Sequence, residues 1–276
     1  LETYNIGSVI PVFVDPKITY IKPDVFIKYN SKTTTKTDTD IETLVTNAIT
    51  SYSTTSLEQF GGIFRYSQFV KAVDESDPSI LNNITRLKMY QFVTPLIGTV
   101  DTYTINFNNA IYHPHDGHTS VLETSGFTIS GSGTTEYFLD DDGRGNVRLT
   151  TFVGTTRTIV NANQGTINYA TGEVKINSLN ISGVSDVDGA TSTRIRVMTQ
   201  PASNDLVPVR QQLLQIDVSN ATIDASIDNY ESNSGVGYVT NASAYSGTST
   251  SSASGSSSSS TVTVSTETNT STTTTY

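Results

Sequence analysis

The chain has no cysteine and no tryptophan, and only 15% of its 276 residues are charged. Without cysteine there is no disulfide framework, no thiolate zinc site and no cysteine nucleophile. Positive charge is the scarcer sign: 16 Lys and Arg stand against 26 Asp and Glu, for a formal net charge of −10. That balance lacks the basic footprint that nucleic-acid binding requires. No apolar run approaches the ~18 residues of a membrane-spanning helix. Leu1 is neither an initiating Met nor the start of a basic segment leading into an apolar one, so no signal peptide is visible. We read the opening as the C-terminal part of something longer.

Ser, Thr and Asn fill the place of the missing charge, a balance that suits a β-rich, loop-rich protein. Residues 1–95 read as a β-α-α-β unit. Val9–Val14 and Ile18–Tyr29 are extended and punctuated by Pro11, Pro16 and Pro23. Thr39 and Glu42 stand at capping-box spacing. Ile41, Leu44, Val45, Ala48 and Ile49 then form one helical stripe. Tyr66, Phe69, Val70 and Val73 repeat that spacing after Gly61-Gly62, and Asp77-Pro78-Ser79 ends it. Leu87 and Met89 alternate with polar residues as in a strand.

From residue 96 to 200 the period becomes two. Tyr103–Phe107, Phe127–Ile129, Val147–Leu149, Thr158–Val160, Glu173–Ile176 and Arg194–Met198 are short strands. Asn168–Glu173 has the composition of a tight hairpin turn. Strands at this spacing predict an antiparallel sandwich or open barrel. Residues 201–240 form a C-terminal extension in which Gln212–Val218 is extended, and Ile223 and Ile227 either continue it or begin a weak helix. Of residues 241–276, 24 of 36 are Ser or Thr and the one charge is Glu267, so this tail cannot bury enough apolar surface to fold. Truncation at residue 240 is expected to leave the melting temperature unchanged. The fold class is therefore α+β: a helix-covered small sheet, an antiparallel β domain and a disordered Ser/Thr tail.

Few residues gather in patterns that carry chemistry. All three histidines, His113, His115 and His118, lie in Tyr112-His113-Pro114-His115-Asp116-Gly117-His118. Imidazoles beside a carboxylate suit Zn²⁺ or Ni²⁺, but Pro114 and Asp116-Gly117 are turn residues, and the favoured reading is a shaped loop with no metal. Asp140-Asp141-Asp142-Gly143-Arg144 resembles a calcium loop, except that Arg144 stands where an oxygen ligand belongs, so it reads as an acidic turn. Gly131-Ser132-Gly133 lacks the rest of a dinucleotide fingerprint. The sequons at Asn83 and Asn220 read as chance matches in a Thr-rich chain. No catalytic residue and no cofactor is expected.

A family likeness is carried by Pro11–Tyr20 running to Phe26-Ile27-Lys28-Tyr29, by Phe60–Ser67 and by Asp77–Arg86. His113-Pro114 with Gly117-His118, and Val207–Gln212, add to it. Over about residues 1–230 the chain resembles the baseplate wedge subunits of T4-type contractile-tailed phages, within the wider J-like baseplate family. The resemblance implies a J-like α/β unit at residues 1–95 and a structural role in the virion. The chain would pair with itself in dimer and ring contacts around the hub, and with other wedge subunits. It would be assembled in the host cytoplasm and would touch neither nucleic acid nor membrane. Two other readings compete. One is a carbohydrate- or surface-binding β module, which would expose an aromatic platform on the β domain. The other is a metal-dependent enzyme built on the histidines.

Overall fold

The computed structural model describes residues 16–228. Val9–Val14 and the Ser/Thr tail lie outside them. β1 (Lys17–Tyr29) alternates: Thr19, Ile21, Pro23, Val25, Ile27 and Tyr29 are buried, and the residues between them lie half-buried on the other face. It pairs antiparallel with β2 (Ile80–Val93). On its other side two short strands share its length. β11 (Gln212–Ile216) runs parallel to residues 17–21, and β12 (Thr222–Ile227) runs parallel to residues 24–29. Pro23 falls in the gap between them, where its missing N–H costs no ladder bond on that side.

Two helices join β1 to β2. The capping box of α1 (Asp38–Tyr52) is not the expected Thr39–Glu42 pair but Thr37 and Asp40, two residues earlier. The Thr37 hydroxyl accepts from the Asp40 amide at 3.3 Å, and the Asp40 carboxylate accepts from the Thr37 amide at 2.9 Å. Aspartate at this position serves as well as the glutamate of the usual pattern. Glu42 is free for a different task and accepts from the Ala225 amide of β12 at 3.2 Å. Ile41, Val45, Ile49 and Tyr52 bury the α1 stripe. A π-helical turn, Ser53–Leu57, ends the helix, with Thr54 and Thr55 hydroxyls bonding back to carbonyls one turn earlier. α2 (Tyr66–Asp74) buries Phe69 and Val73, and Tyr52, Phe64 and Phe69 pack as an aromatic triad under the sheet.

The remaining strands are β3 (Val100–Asn106), β4 (Glu123–Thr124), β5 (Phe127–Ile129), β6 (Glu136–Asp141), β7 (Asn146–Val153), β8 (Thr156–Asn168), β9 (Glu173–Val184) and β10 (Ile195–Thr199). The sheet runs β11-β1-β2-β10-β4-β6-β5-β9-β8-β7, with β3 flanking β9. β7 also pairs with β6, so β5, β6, β7, β8 and β9 close into a ring of antiparallel strands. The strands form a closed barrel where the sequence suggested a sandwich or an open barrel, and β6 is the strand that closes it. Leu139, Val147, Leu149, Ile167, Val174 and Ile176 are buried on its strands. The hairpin expected at 168–173 is present: Asn168 pairs with Glu173, and Gly172 takes the positive φ of 74° that its turn needs.

Candidate interaction surfaces and the histidine loop

The loop from β3 to β4 carries all three histidines across one end of the barrel. It is anchored by Ile111, whose amide donates to the Tyr169 carbonyl at 2.7 Å. The centre of the arrangement is Asp141, the last residue of β6 and fully buried. Its Oδ1 accepts from the Ser120 hydroxyl and the amides of Val121 and Leu122 at 2.9, 2.7 and 2.8 Å. Its Oδ2 accepts from the Tyr169 hydroxyl at 2.7 Å and the Gly143 amide at 3.2 Å. Burial pushes this carboxyl up, but the amide of Leu122, the hydroxyls of Tyr169 and Ser120 and the amide of Val121 outweigh it and hold it below the usual carboxylate range. Burial and the bond to Asp141 push the Tyr169 hydroxyl up in turn.

The histidines line this centre. The His118 ring is buried, and its Nδ1–H donates to the His115 carbonyl at 2.9 Å. Its Nε2 makes no hydrogen bond and lies 3.4 Å from Asp141 Oδ2. His113 packs its ring on Tyr169 at 4.2 Å between centroids, with Nε2 3.1 Å from the Gly143 carbonyl. His115 is exposed, with Nδ1 3.1 Å from the Asp116 carbonyl. Gly143 is required here, since a Cβ would stand 2.5 Å from the His118 amide nitrogen. Each histidine thus turns a ring nitrogen to a backbone carbonyl. Among the described residues no group of three or more His, Asp or Glu is arranged to hold a metal ion.

The neighbouring acids are equally committed to the fold. Asp142 accepts from the amides of Arg144 and Asn146 at 2.8 and 3.0 Å, closing the β6–β7 turn. Asp140 takes the Arg148 guanidinium in a two-point contact at 2.8 and 3.0 Å and Arg157 at 3.2 Å. Gly131 and Gly133 sit in the β5–β6 turn at φ 85° and 65°, with a strand and no helix following. The sequon asparagines donate their amides to neighbouring carboxylates, Asn83 to Asp74 at 2.6 Å and Asn220 to Asp217 at 2.8 Å.

Two surfaces were not legible in the sequence. On the sheet face opposite the helices, Tyr20 stacks on Tyr90 at 4.9 Å, and Phe92 meets both edge-on. Arg194 lies 4.3 Å from the Phe92 ring and Arg196 5.6 Å from Tyr90, whose hydroxyl donates to Asp217 at 2.6 Å. The residues come from β1, β2, β10 and the end of β11, so only the pairing of distant strands could reveal the cluster. The second surface is the outer half of the β7–β8 hairpin, where Phe152, Val153, Ile159 and Val160 are 48–67% exposed. Leu96, Ile97 and Val100 in the β2–β3 turn are comparably bare.

Comparison with known proteins bears on the segment from β1 to β2. Residues 17–91 match the family described as baseplate structural protein gp6, C-terminal domain III. Over 111 residues the chain is 24% identical to baseplate wedge protein gp6 of Enterobacteria phage T4. That stretch covers 40% of this chain and 17% of the length of the relative. The family match begins and ends with the β1-α1-α2-β2 module, so the chain is similar there to a structural protein of a phage baseplate.

Proposed function

We propose that this chain is a structural subunit of a phage tail baseplate wedge, located in the virion and assembled in the host cytoplasm. It would form part of the inner ring around the hub by self-association and by contacts with other wedge subunits. The observation that carries this is the family match over the whole β1-α1-α2-β2 module. The J-like α/β unit of residues 1–95 would be completed by β11 and β12, which pair with β1. The β domain would supply the contacts. Bare apolar side chains on the β7–β8 hairpin and the β2–β3 turn are what an assembling subunit needs. The carbohydrate-binding reading is less favoured, because the aromatic cluster lies off the barrel and its central member, Tyr90, is buried. Immunogold labelling of intact particles tests the proposal. Label at the tail baseplate is expected, and particles that lack the chain, or carry it only elsewhere, would overturn it.

The same proposal assigns no catalytic role and no cofactor, and gives the histidines a loop-shaping part. His115→Asn is expected to leave the melting temperature within about 2 °C of the parent, since an exposed substitution costs within ~0.5 kcal/mol. His118→Asn should cost about 1–2 kcal/mol, because it removes a buried ring packed against His113 and Tyr169. Stoichiometric zinc or nickel that survives dialysis against EDTA would defeat the reading.

A further inference from the structure

β8 is paired with β7 from Thr156 to Thr166, with register shifts on the way, but with β9 only at residues 165–168. Residues 156–163 are all exposed, and among the described residues their outer edge has no strand partner. Such edges are normally blunted by charged side chains, above all lysine, by proline, by a bulge or by a short length. This one runs Thr156-Arg157-Thr158-Ile159-Val160, with neither lysine nor proline, and its arginine is turned to Asp140. Pairing with β7 is regular from Thr156 to Ile159, and the register shifts only beyond that. The regular stretch Thr156–Ile159 lies ahead of the irregularity at Val160, and its free edge can accept another strand.

We propose that this edge is a self-pairing site, where β8 of one copy adds antiparallel to β8 of a second copy about a two-fold axis through Thr158. The argument for a second copy is complementarity. With the axis at Thr158, Arg157 stands opposite the partner's Ile159, both within the regular stretch. Thr158 meets its own copy, and threonine pairs are favourable across strands. An axis at Arg157 would set two guanidinium groups face to face and is disfavoured for that reason. Charge over the whole molecule gives the same answer. A chain of net charge −10 repels its own copies, yet from Leu149 to Gly172 Arg157 is the one charged side chain. At the hairpin two copies would meet with little charge of their own sign. Phe152 and Val153, half or more exposed at its end, extend the contact beyond the paired backbone. The site rests on the assembly reading above, for which it names the self-contact.

The test uses the full chain and swaps charge at one position. Ile159→Lys places a lysine opposite the partner's Arg157, whereas Ile159→Glu places a carboxylate there. Ile159 is exposed, and matching melting temperatures will show that both variants fold. Sedimentation at high micromolar concentration is expected to show a dimer for the parent, a dimer at least as tight for Ile159→Glu and at least tenfold weakening for Ile159→Lys. In a chain without cysteine, Thr158→Cys should give a disulfide-linked dimer on oxidation. A monomeric parent, or equal effects of Lys and Glu, would overturn the proposal. So would failure of Thr158→Cys to cross-link. A monomer that still labels the baseplate would sink this site alone, whereas a dimer absent from particles would sink the assembly reading alone.

Discussion

Replacing Asp141 with Ala should lower the melting temperature by about 8–16 °C. Five donors converge on this carboxylate: three amides and the hydroxyls of Ser120 and Tyr169. Removing the acceptor strands several of them in a site without solvent, and each buried unsatisfied group costs roughly 1–3 kcal/mol. The donors share one acceptor and can relax together, so the sum is not additive, and about 4 kcal/mol is a reasonable total. In a domain of this size each kcal/mol shifts the midpoint by roughly 2–4 °C. Asp141→Asn should also be damaging, since its amide group would have to face hydroxyl and amide donors. The pH dependence has a definite sign. The folded carboxyl titrates below its unfolded value, so its contribution is complete above the unfolded pKa of ~3.9 and is lost as pH falls through the lower folded value. Acid unfolding of the parent should therefore contain a component below pH ~4 that Asp141→Ala lacks. Parent and variant melting alike, or shifting in parallel with acid, would show that the carboxylate is incidental.

That centre illustrates what the sequence could and could not carry. The hairpin at 168–173, both helices and most strands were legible because turn chemistry and period are local signals. β6 was not, because Tyr137-Phe138-Leu139 presents three ring or aliphatic side chains in succession and then acids, with no alternation to read. Without β6 the barrel stays open on paper and Asp141 is one acid in a turn. Its partner Tyr169 lies 28 residues on, across a barrel that only β6 closes. β11 and β12 were ambiguous for a different reason. Their partner is β1, nearly 200 residues earlier, and a parallel pairing at that separation leaves no local mark. The histidines were visible as a group, but their roles were set by the backbone carbonyls they meet.

The seam between the helix-covered sheet and the barrel rests on three buried polar side chains, which leads to the second large effect. Gln212 Nε2 donates to the Thr19 hydroxyl at 2.6 Å and to the Phe107 carbonyl at 3.1 Å, while its Oε1 accepts from the Val209 amide at 3.2 Å. Gln91 Nε2 donates to the same Thr19 hydroxyl at 2.7 Å and to the Asn106 carbonyl at 2.9 Å. β1, β2 and β11 are thereby tied to the end of β3. Gln212→Leu keeps the volume and removes these three polar contacts, so about 2–3 kcal/mol, or roughly 4–12 °C, should be lost. The loss should be local in character, with amides of residues 213–216 exchanging faster than those of the barrel strands. Because Gln91 and Gln212 share one hydroxyl, the double variant with Gln91→Leu should depart from additivity by at least ~0.5 kcal/mol. Exact additivity, or faster exchange throughout the barrel, would mean that the seam is held by apolar packing and that the glutamines only fill it.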